Sequence, residues 1–322
     1  MMTTHNYSDF FHYGTIALSV ALTSLGVGIG EGIASQGALE AMNIQPNAKS
    51  DIARTAIIAM ALIDTAAIIG ITVALMLLFD VKHQAPNIYA SVAELGIAFA
   101  IGISGLVLGL VSALPAQQTM FAIARQPFFS QQIFRFMLIT LSIIQTPIIF
   151  GFIIAIFIKD QAAGVTTAAE CIRLIASGVC IGLGSIGPSI GLGHFAKTAC
   201  QSIGINRNAY GQLFSFTLIS EAIIETPIIF TLIVSLLLIT TTIPDDNMLT
   251  AMAMLGSAIC MGMGTLGAGI GSGKTAAAAC QQIAINPEQY SLISRTSMLA
   301  QGLIDTSAIY ALLIALLLFF FK

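Results

Sequence analysis

A unit of about 80 residues occurs four times in this 322-residue chain, and each copy contains two long apolar runs. The repeat is clearest at one polar residue in the middle of each second run. The four contexts read ALIDTAAII, LSIIQTPII, EAIIETPII and QGLIDTSAI, around Asp64, Gln145, Glu225 and Asp305. These residues lie 81, 80 and 80 positions apart. The spacing predicts one structural unit built four times, with a carboxylate in three copies and an amide in the other.

The composition places these units in a membrane. The chain is 57% hydrophobic and 8% charged, with a mean hydropathy of +0.93, whereas soluble domains carry about 25% charged residues. Apolar runs of about 20 residues cross a bilayer core as helix. We predict an all-α membrane protein with eight transmembrane helices, arranged as four parallel hairpins that assemble into a ring. The predicted spans are roughly 14–38, 53–79, 90–123, 131–158, 169–200, 211–240, 248–280 and 291–321, and the hairpins occupy 1–85, 86–165, 166–245 and 246–322.

Several classes of protein are disfavoured. The net charge of −3 is thinly spread, so we expect no nucleic-acid partner. The first residues, MMTTHNYSDFFHYG, lack a basic segment and do not resemble a cleaved signal peptide. The five cysteines fall in apolar runs and follow the 80-residue repeat, which favours helix packing over disulfides. No cofactor and no resident metal is expected.

The two helices of each hairpin differ in character. The first is rich in glycine, as in SLGVGIGEGIASQGA and CMGMGTLGAGIGSGKTA, and small residues let membrane helices approach closely. A polar turn follows, and Pro or Asn in it breaks the helix. The turns and adjacent helix ends carry more positive charge than the opposite loops, which hold mainly Lys82 and Lys159, beside Arg173 and Lys322. The positive-inside rule therefore predicts cytoplasmic turns in a multi-pass protein of an energy-coupling membrane, such as the bacterial plasma membrane.

The repeated polar position lies at a fixed depth. Each one follows the turn by 18 residues, counted from Pro46, Pro127, Arg207 and Pro287. At 1.5 Å per residue this is ~27 Å of helix, which is near the middle of the membrane. Two spans per unit give every unit the same orientation. Inverted-repeat transporters flip alternate units, so the pattern favours a ring of equivalent sites.

Carboxyl groups in hydrocarbon are costly and usually functional. They cross lipid only when a proton or a bound cation neutralises them. We therefore predict that Asp64, Glu225 and Asp305 bind the transported ion, either H⁺ or Na⁺, and that Gln145 is a silent site. A carboxyl that only satisfies a partner inside a bundle is the alternative, and fourfold repetition argues against it.

Other residues are candidates for supporting the ion sites. A threonine follows each key position, and its hydroxyl can serve the carboxyl or a cation, or else its own helix carbonyl. The first helices offer Glu31 and Ser272 at equivalent positions. Glu221 lies one turn before Glu225 and is expected either to tune that site or to end a water chain. Pro147 and Pro227 are expected to kink their helices. The predicted supporting residues are Thr65, Thr226, Thr306, Glu31, Ser272 and Glu221.

One segment imitates a nucleotide-binding motif. AGIGSGKT, residues 268–275, nearly matches a phosphate-binding loop. That loop follows a strand, whereas this segment lies in a glycine-rich membrane run. An ATP-hydrolysing enzyme is therefore disfavoured.

The glycine-rich helix, the polar turn and the mid-membrane acid 18 residues later resemble the c subunit of F-type ATP synthases, the rotor proteolipid, over essentially the whole chain. The resemblance implies a homo-oligomeric ring in membrane lipid that turns against a stator protein with an essential arginine. It also implies that the turns face central-stalk subunits. The residues of these turns are Gln45, Pro46, Gln126, Pro127, Asn206, Arg207, Asn286 and Pro287.

The chain departs from the usual single hairpin, and its second repeat has no acid. Fused hairpins with missing acids are more typical of V-type ATPase proteolipids, which are the near alternative. The run IDTSAIY is similar to sodium-binding members of the family, so the ion stays open, with H⁺ as the default. An eight-helix secondary transporter or channel is a more distant alternative.

Overall fold

The computed structural model describes residues 2–79, 87–243 and 246–320. Eight helices in these ranges are long and apolar enough to cross a membrane, which confirms the predicted number of spans. Each span is longer than predicted, because the helices continue into the polar segments next to the apolar runs. The spans are Tyr7–Ile44, Pro46–Leu78, Ile88–Arg125, Pro127–Ala162, Ala168–Ile205, Arg207–Thr240, Met248–Ile285 and Pro287–Phe320.

The spans form four helical hairpins. Hairpin 1 comprises α1 (Met2–Ile44), α2 (Lys49–Ile63) and α3 (Thr65–Leu78). Hairpin 2 comprises α4 (Ile88–Ala93), α5 (Leu95–Ala98), a π-helical turn (Phe99–Ile103), α6 (Ser104–Arg125), α7 (Ser130–Ile144) and α8 (Thr146–Ala162). Hairpin 3 comprises α9 (Ala168–Ile205) and α10 (Tyr210–Thr240), and hairpin 4 comprises α11 (Met248–Ile285) and α12 (Tyr290–Phe320). A short 3₁₀ turn joins the two arms of each hairpin.

The glycine-rich first arms form one packed layer. In chain order, α1 packs on α6, α6 on α9, and α9 on α11, while the second arms pack outside this layer. Glycine allows the contact, as predicted. A Cβ atom at Gly30 would overlap the carbonyl oxygen of Gly109, and one at Gly191 would overlap that of Gly269. Neighbouring backbones therefore touch directly.

The two ends of this layer remain open. α1 and α11 do not pack against each other, and α9 is the most buried span, whereas the first and last spans are the least buried. Large apolar side chains, including Leu25 and Met263, are about half exposed on these terminal hairpins. The described chain is thus an open layer of four hairpins with uncovered flanks.

Polar side chains join the hairpins at both ends. At the turns, Gln126 donates to the carbonyl of Gly204 at 2.8 Å, and Asn206 donates to that of Ala284 at 2.9 Å. At the opposite end, Asn87 caps α4 and donates to the carbonyl of Val165 at 2.5 Å. The two bonds at the turns cross from one hairpin to the next, and the Asn87 bond ties the start of hairpin 2 to the segment between α8 and α9. These links hold neighbouring hairpins in register.

The turn of hairpin 2 differs from the others in one side chain. Phe128 is 99% exposed there, whereas the equivalent residues are Asn47, Asn208 and Glu288. All the other turns therefore present a polar group at this position. The turn-side surface of hairpin 2 has an uncovered aromatic ring.

Candidate ion-binding site

The helix of the second arm is interrupted at the repeated position in two hairpins. α2 ends and α3 begins around Asp64, and α7 and α8 meet in the same way at Gln145. Proline does not explain both breaks, because α10 runs through Pro227 without interruption while hairpin 1 has no proline there. α10 stays helical through Pro227, and the kinks expected at Pro147 and Pro227 stay predictions.

A bonding network explains the break in hairpin 1. The carbonyl of Leu62 accepts from the Thr65 hydroxyl at 2.7 Å and from the Gln145 amide nitrogen at 3.0 Å. Side-chain donors that bind a helix carbonyl compete with the backbone and bend the helix. The irregular turn around Asp64 is thus tied to a side chain of the next hairpin.

Gln145 lies at the boundary between hairpins 1 and 2. Its side-chain oxygen accepts from the Thr65 hydroxyl at 2.9 Å, and its nitrogen donates to the Leu62 carbonyl. The residue is buried. Ser112, on its own first arm, is buried without a hydrogen-bond partner among the described residues. Gln145 has therefore turned away from its own hairpin and toward the preceding one.

Glu225 repeats this arrangement one hairpin further on. It is half-buried, and its carboxyl lies near Thr146, the threonine of hairpin 2. Thr146 also donates to the carbonyl of Ile143 at 2.8 Å, as Thr65 does to Leu62. In these two cases the threonine beside one key position serves the key residue of the next hairpin. The sequence indicated the threonines but not the hairpin that they serve.

Asp305 makes its contact within its own hairpin. The Ser272 hydroxyl of α11 donates to the Asp305 carboxylate at 3.0 Å, and both residues are buried. Thr226 donates to the carbonyl of Ala222 in its own helix, and Thr306 to that of Leu303. The structure therefore places Ser272 beside the ion position, and it leaves these two threonines bonded to their own backbone.

Asp64, like Glu225, is more exposed than Gln145 and Asp305. It is partly exposed on the free flank of hairpin 1, and Glu31 of α1 is close enough for the two charges to repel each other. Glu31 is itself partly exposed. Hairpin 1 thus pairs two carboxyls from its two arms at the position where hairpin 4 pairs Ser272 with Asp305.

Glu221 is completely buried in α10, and neither of its carboxyl oxygens has a hydrogen-bond partner among the described residues. It lies one turn before Glu225 and interacts electrostatically with it. The sequence placed Glu221 near the ion site but did not indicate its burial.

A second set of buried polar residues lies far from the turns and was missed by the sequence reasoning. His12 Nδ1 lies 2.6 Å from Glu94 Oε2, across the boundary between hairpins 1 and 2. Arg173 occupies the position in hairpin 3 that is equivalent to His12, and it donates to the Gln161 side chain and to the carbonyls of Leu238 and Ile239. The sequence did contain a signal for this second set, because His12, Glu94 and Arg173 are ionisable residues within or beside apolar runs.

The burial of Arg173 changes the comparison of positive charges from which the orientation of the protein in the membrane was predicted. Arg173 is buried and bonded to protein, so it is not a free charge of a loop. Lys82 and Lys322 lie outside the described residues. The cytoplasmic placement of the turns stays a prediction.

The structure does not support a phosphate-binding loop at residues 268–275. Residues 268–275 lie inside α11, and Gly269 and Gly273 contact the backbone of Gly187 and Gly191 in α9. A continuous helix has no free loop amides with which to surround a phosphate. All five cysteines are free, as expected from their positions.

Comparison with known proteins agrees with the repeated hairpins. The family of ATP synthase C subunits matches residues 15–77, 95–158, 175–238 and 255–318, one stretch for each hairpin. Four tandem matches cover most of the chain, and this protein belongs to the family of ATP synthase C subunits. Its eight apolar helices identify it as a multi-pass integral membrane protein.

Individual relatives correspond to one hairpin each. An ATP synthase c subunit of Dehalococcoides mccartyi is 42% identical over 71 residues, which are 22% of this chain and 93% of the relative. One from Mesomycoplasma hyopneumoniae is 42% identical over 79 residues, which are 24% and 77% of the two chains. An ATP synthase c subunit of Cereibacter sphaeroides, numbered 2, is 46% identical over 68 residues, or 21% and 82%. This chain is therefore similar to several such proteins joined in tandem.

Proposed function

We propose that this protein forms the ion-carrying rotor ring of an F-type ATP synthase, in which Asp64, Glu225 and Asp305 each carry one ion. The single observation that carries the proposal is the repeated mid-membrane position, which recurs once in each of the four hairpins. Three of these positions hold a group that can gain and lose a charge. Gln145 cannot, and hairpin 2 passes the stator without an ion.

The open flanks of the described chain support ring assembly. Each of Gln145 and Glu225 contacts the threonine of the preceding hairpin. Among the described hairpins, Asp64 lies on the first and Thr306 on the last. A second copy that placed its hairpin 4 against hairpin 1 would bring its Thr306 next to Asp64, and the contact seen at the internal boundaries would then recur between copies. The stator protein with its essential arginine and the central-stalk subunits are the further partners that we propose.

The proton is the ion that the contacts of Gln145 favour. An amide donates through nitrogen and accepts through oxygen, and a protonated carboxyl has the same two capacities. Gln145 uses both, toward Leu62 and Thr65. By the repeat, the equivalents of Leu62 and Thr65 for Glu225 are Ile143 and Thr146, and they would suit a carboxyl that carries a proton. Gln145 would be a permanent imitation of the loaded state.

A V-type pump is the second candidate. The fusion of four hairpins and the absence of one acid favour it, because a ring with fewer charged sites suits ATP-driven pumping against a steep gradient. The relatives, which are named as ATP synthase proteins, favour the F-type complex. The polar turns QP, RQP and NP are also more like those of the F-type family.

Labelling with a hydrophobic carbodiimide tests the ion-binding roles. This reagent attacks protonated carboxyls in membranes, so we expect it to label Asp64, Glu225 and Asp305 and to leave position 145 in hairpin 2 unlabelled. Labelling confined to carboxylates of the turns would reject the proposal. Protection by excess Na⁺ at neutral pH would choose sodium instead of the proton.

Ring assembly has its own test. Native mass spectrometry of the detergent-solubilised protein is expected to show a homo-oligomer with a hairpin number that is a multiple of four. A stable monomer would contradict assembly. It would leave the labelling result unaffected, so the two parts of the proposal are separable.

A further inference from the structure

Hairpin 3 contains a carboxyl pair with unsatisfied hydrogen bonding. Neither oxygen of Glu221 has a hydrogen-bond partner within the described residues, and Oε1 of Glu225 is also buried without one. Glu221 is 0% exposed. Buried polar groups without partners are costly and rare. Three unsatisfied oxygens one helix turn apart indicate that these two groups bond to each other in some state of the protein.

The surroundings of Glu221 determine which state it can adopt. In the described part of the chain, its ionisable neighbours are Glu225 on its own helix, Cys200 on α9 and Cys280 on α11. None of them is a cation. A buried carboxylate without a cation or a donor is strongly disfavoured. Glu221 is therefore suited to the neutral, protonated form, in which it has one O–H group to donate.

We propose that Glu221 stays protonated and donates a hydrogen bond to the Glu225 carboxylate each time Glu225 has released its ion. The inference rests on the proposed ion-carrying role of Glu225. Residues four apart on a helix are neighbours, so the two carboxyls can meet directly or through one water molecule. An O–H···O⁻ bond is stronger than a neutral one. Glu221 keeps its proton throughout, so it is not one of the residues that carry an ion across the membrane.

The consequence is specific to hairpin 3. The donor stabilises the unloaded Glu225, so hairpin 3 releases its proton more readily than it would without Glu221. Asp305 has Ser272 as a donor in the same role. Glu221 thus supplies from the second helix what Ser272 supplies from the first, because the equivalent of Ser272 in hairpin 3 is the apolar Leu192.

The other repeats offer matched replacements. The residues equivalent to Glu221 are Met60, Leu141 and Gln301. Gln301 is completely buried and donates to Ser220 and Ser297 at 3.3 and 3.1 Å. The fold therefore accommodates an apolar residue or an amide at this place. Glu221→Met and Glu221→Gln are both expected to assemble.

The test is carbodiimide labelling of the solubilised protein across a pH series, with each labelled residue identified by peptide mass spectrometry. In Glu221→Met, labelling of Glu225 should persist to about one pH unit higher, because its anion has lost a donor worth about 1–1.5 kcal/mol. In Glu221→Gln the amide still donates, and the displacement should be less than half as large. Labelling of Asp305 should be unchanged in both variants.

Two labelling results would overturn the inference. No displacement in Glu221→Met would show that Glu221 does not serve Glu225. A displacement to lower pH would show that Glu221 is an anion in the native protein.

A second measurement does not depend on labelling. The infrared band of protonated carboxyls should contain a component that persists at alkaline pH in the native protein and is absent from Glu221→Met. Its absence from the native protein would reject a protonated Glu221. Labelling absent from all three carrier acids, with this band present, would instead reject the proposed function and leave Glu221 protonated.

Discussion

The aspartates and the longer side chains at the repeated position make their contacts in opposite directions. Asp305 accepts from Ser272 in the first arm of its own hairpin, whereas Gln145 and Glu225 reach the threonine of the preceding hairpin. Asp64, the other aspartate, interacts with Glu31 of its own first arm. One methylene group separates the two kinds of side chain. In the described hairpins, the shorter side chains face partners in their own first arm, whereas the longer ones lie near the preceding hairpin.

This difference shows what fusion of the hairpins allows. In a ring of identical single hairpins, every boundary must use the same side chains. Among the described hairpins, each of the three internal boundaries has its own residues, and in the proposed ring the boundary between two copies would be a further, different one. Hairpin 2 can then lose its acid while its neighbours keep theirs.

The largest expected effect comes from giving hairpin 2 an acid. Gln145→Glu keeps the side-chain length, so the new carboxyl should contact Thr65 and Leu62 as the amide does. Hairpin 2 should change from unlabelled to fully labelled by carbodiimide. If the ring turns, the ions moved per chain should rise from three to four, or by about one third. Each added ion contributes about 2.3 kcal/mol per 100 mV.

The measurement is the equilibrium between ion-motive force and the ATP/ADP ratio in reconstituted vesicles. Gln145→Leu is the control, and it should remain unlabelled. If a Gln145→Glu ring assembles and rotates but this equilibrium is unchanged, hairpin 2 does not carry an ion even when it has an acid.

A smaller effect should separate the contact within a hairpin from that across a boundary. Ser272→Ala removes the hydroxyl that donates to the Asp305 carboxylate, so labelling of Asp305 should persist to about one pH unit higher. Thr226→Val is the control, because Thr226 bonds to its own helix. If the two changes displaced Asp305 labelling equally, its site would extend into hairpin 3.

The smallest effect is expected at Thr146. Thr146→Val removes a donor from Glu225, which is only half-buried, so its labelling should move to higher pH by roughly half a unit. Labelling of Asp64 and Asp305 should not change. A displacement at Asp64 instead would mean that each threonine serves the hairpin before it and not the one after it.

Much of the fold could be predicted because it depends on local chemistry. Apolar length determines the spans, Pro46 and Pro127 mark turns, and glycines mark the close helix contacts. The relative orientation of the hairpins follows from counting two spans per unit. These inferences need only the length of a helix and the conformational preferences of single residues.

The contacts of the site were less accessible to sequence reasoning. The adjacent threonine and acid suggested a bond within one hairpin, but Thr65 meets Gln145, which lies 80 residues further on. Which neighbour a side chain reaches depends on its length and on the packing angle between helices, and neither the repeat nor the spacing supplies that angle. The burial of Glu221 and the pairing of His12 with Glu94 were missed for the same reason.

The exposed ring of Phe128 gives the turn-side surface a different symmetry from the membrane interior. Within the membrane, the layer repeats approximately with every hairpin. At the turns, the aromatic ring occurs once in four, because the equivalent residues are polar. In a closed assembly of several chains, a partner that bound the side chain of Phe128 would find one such binding position per chain. The angular step felt at that surface would then be four hairpins wide, while the step felt at the ion sites would remain one hairpin wide.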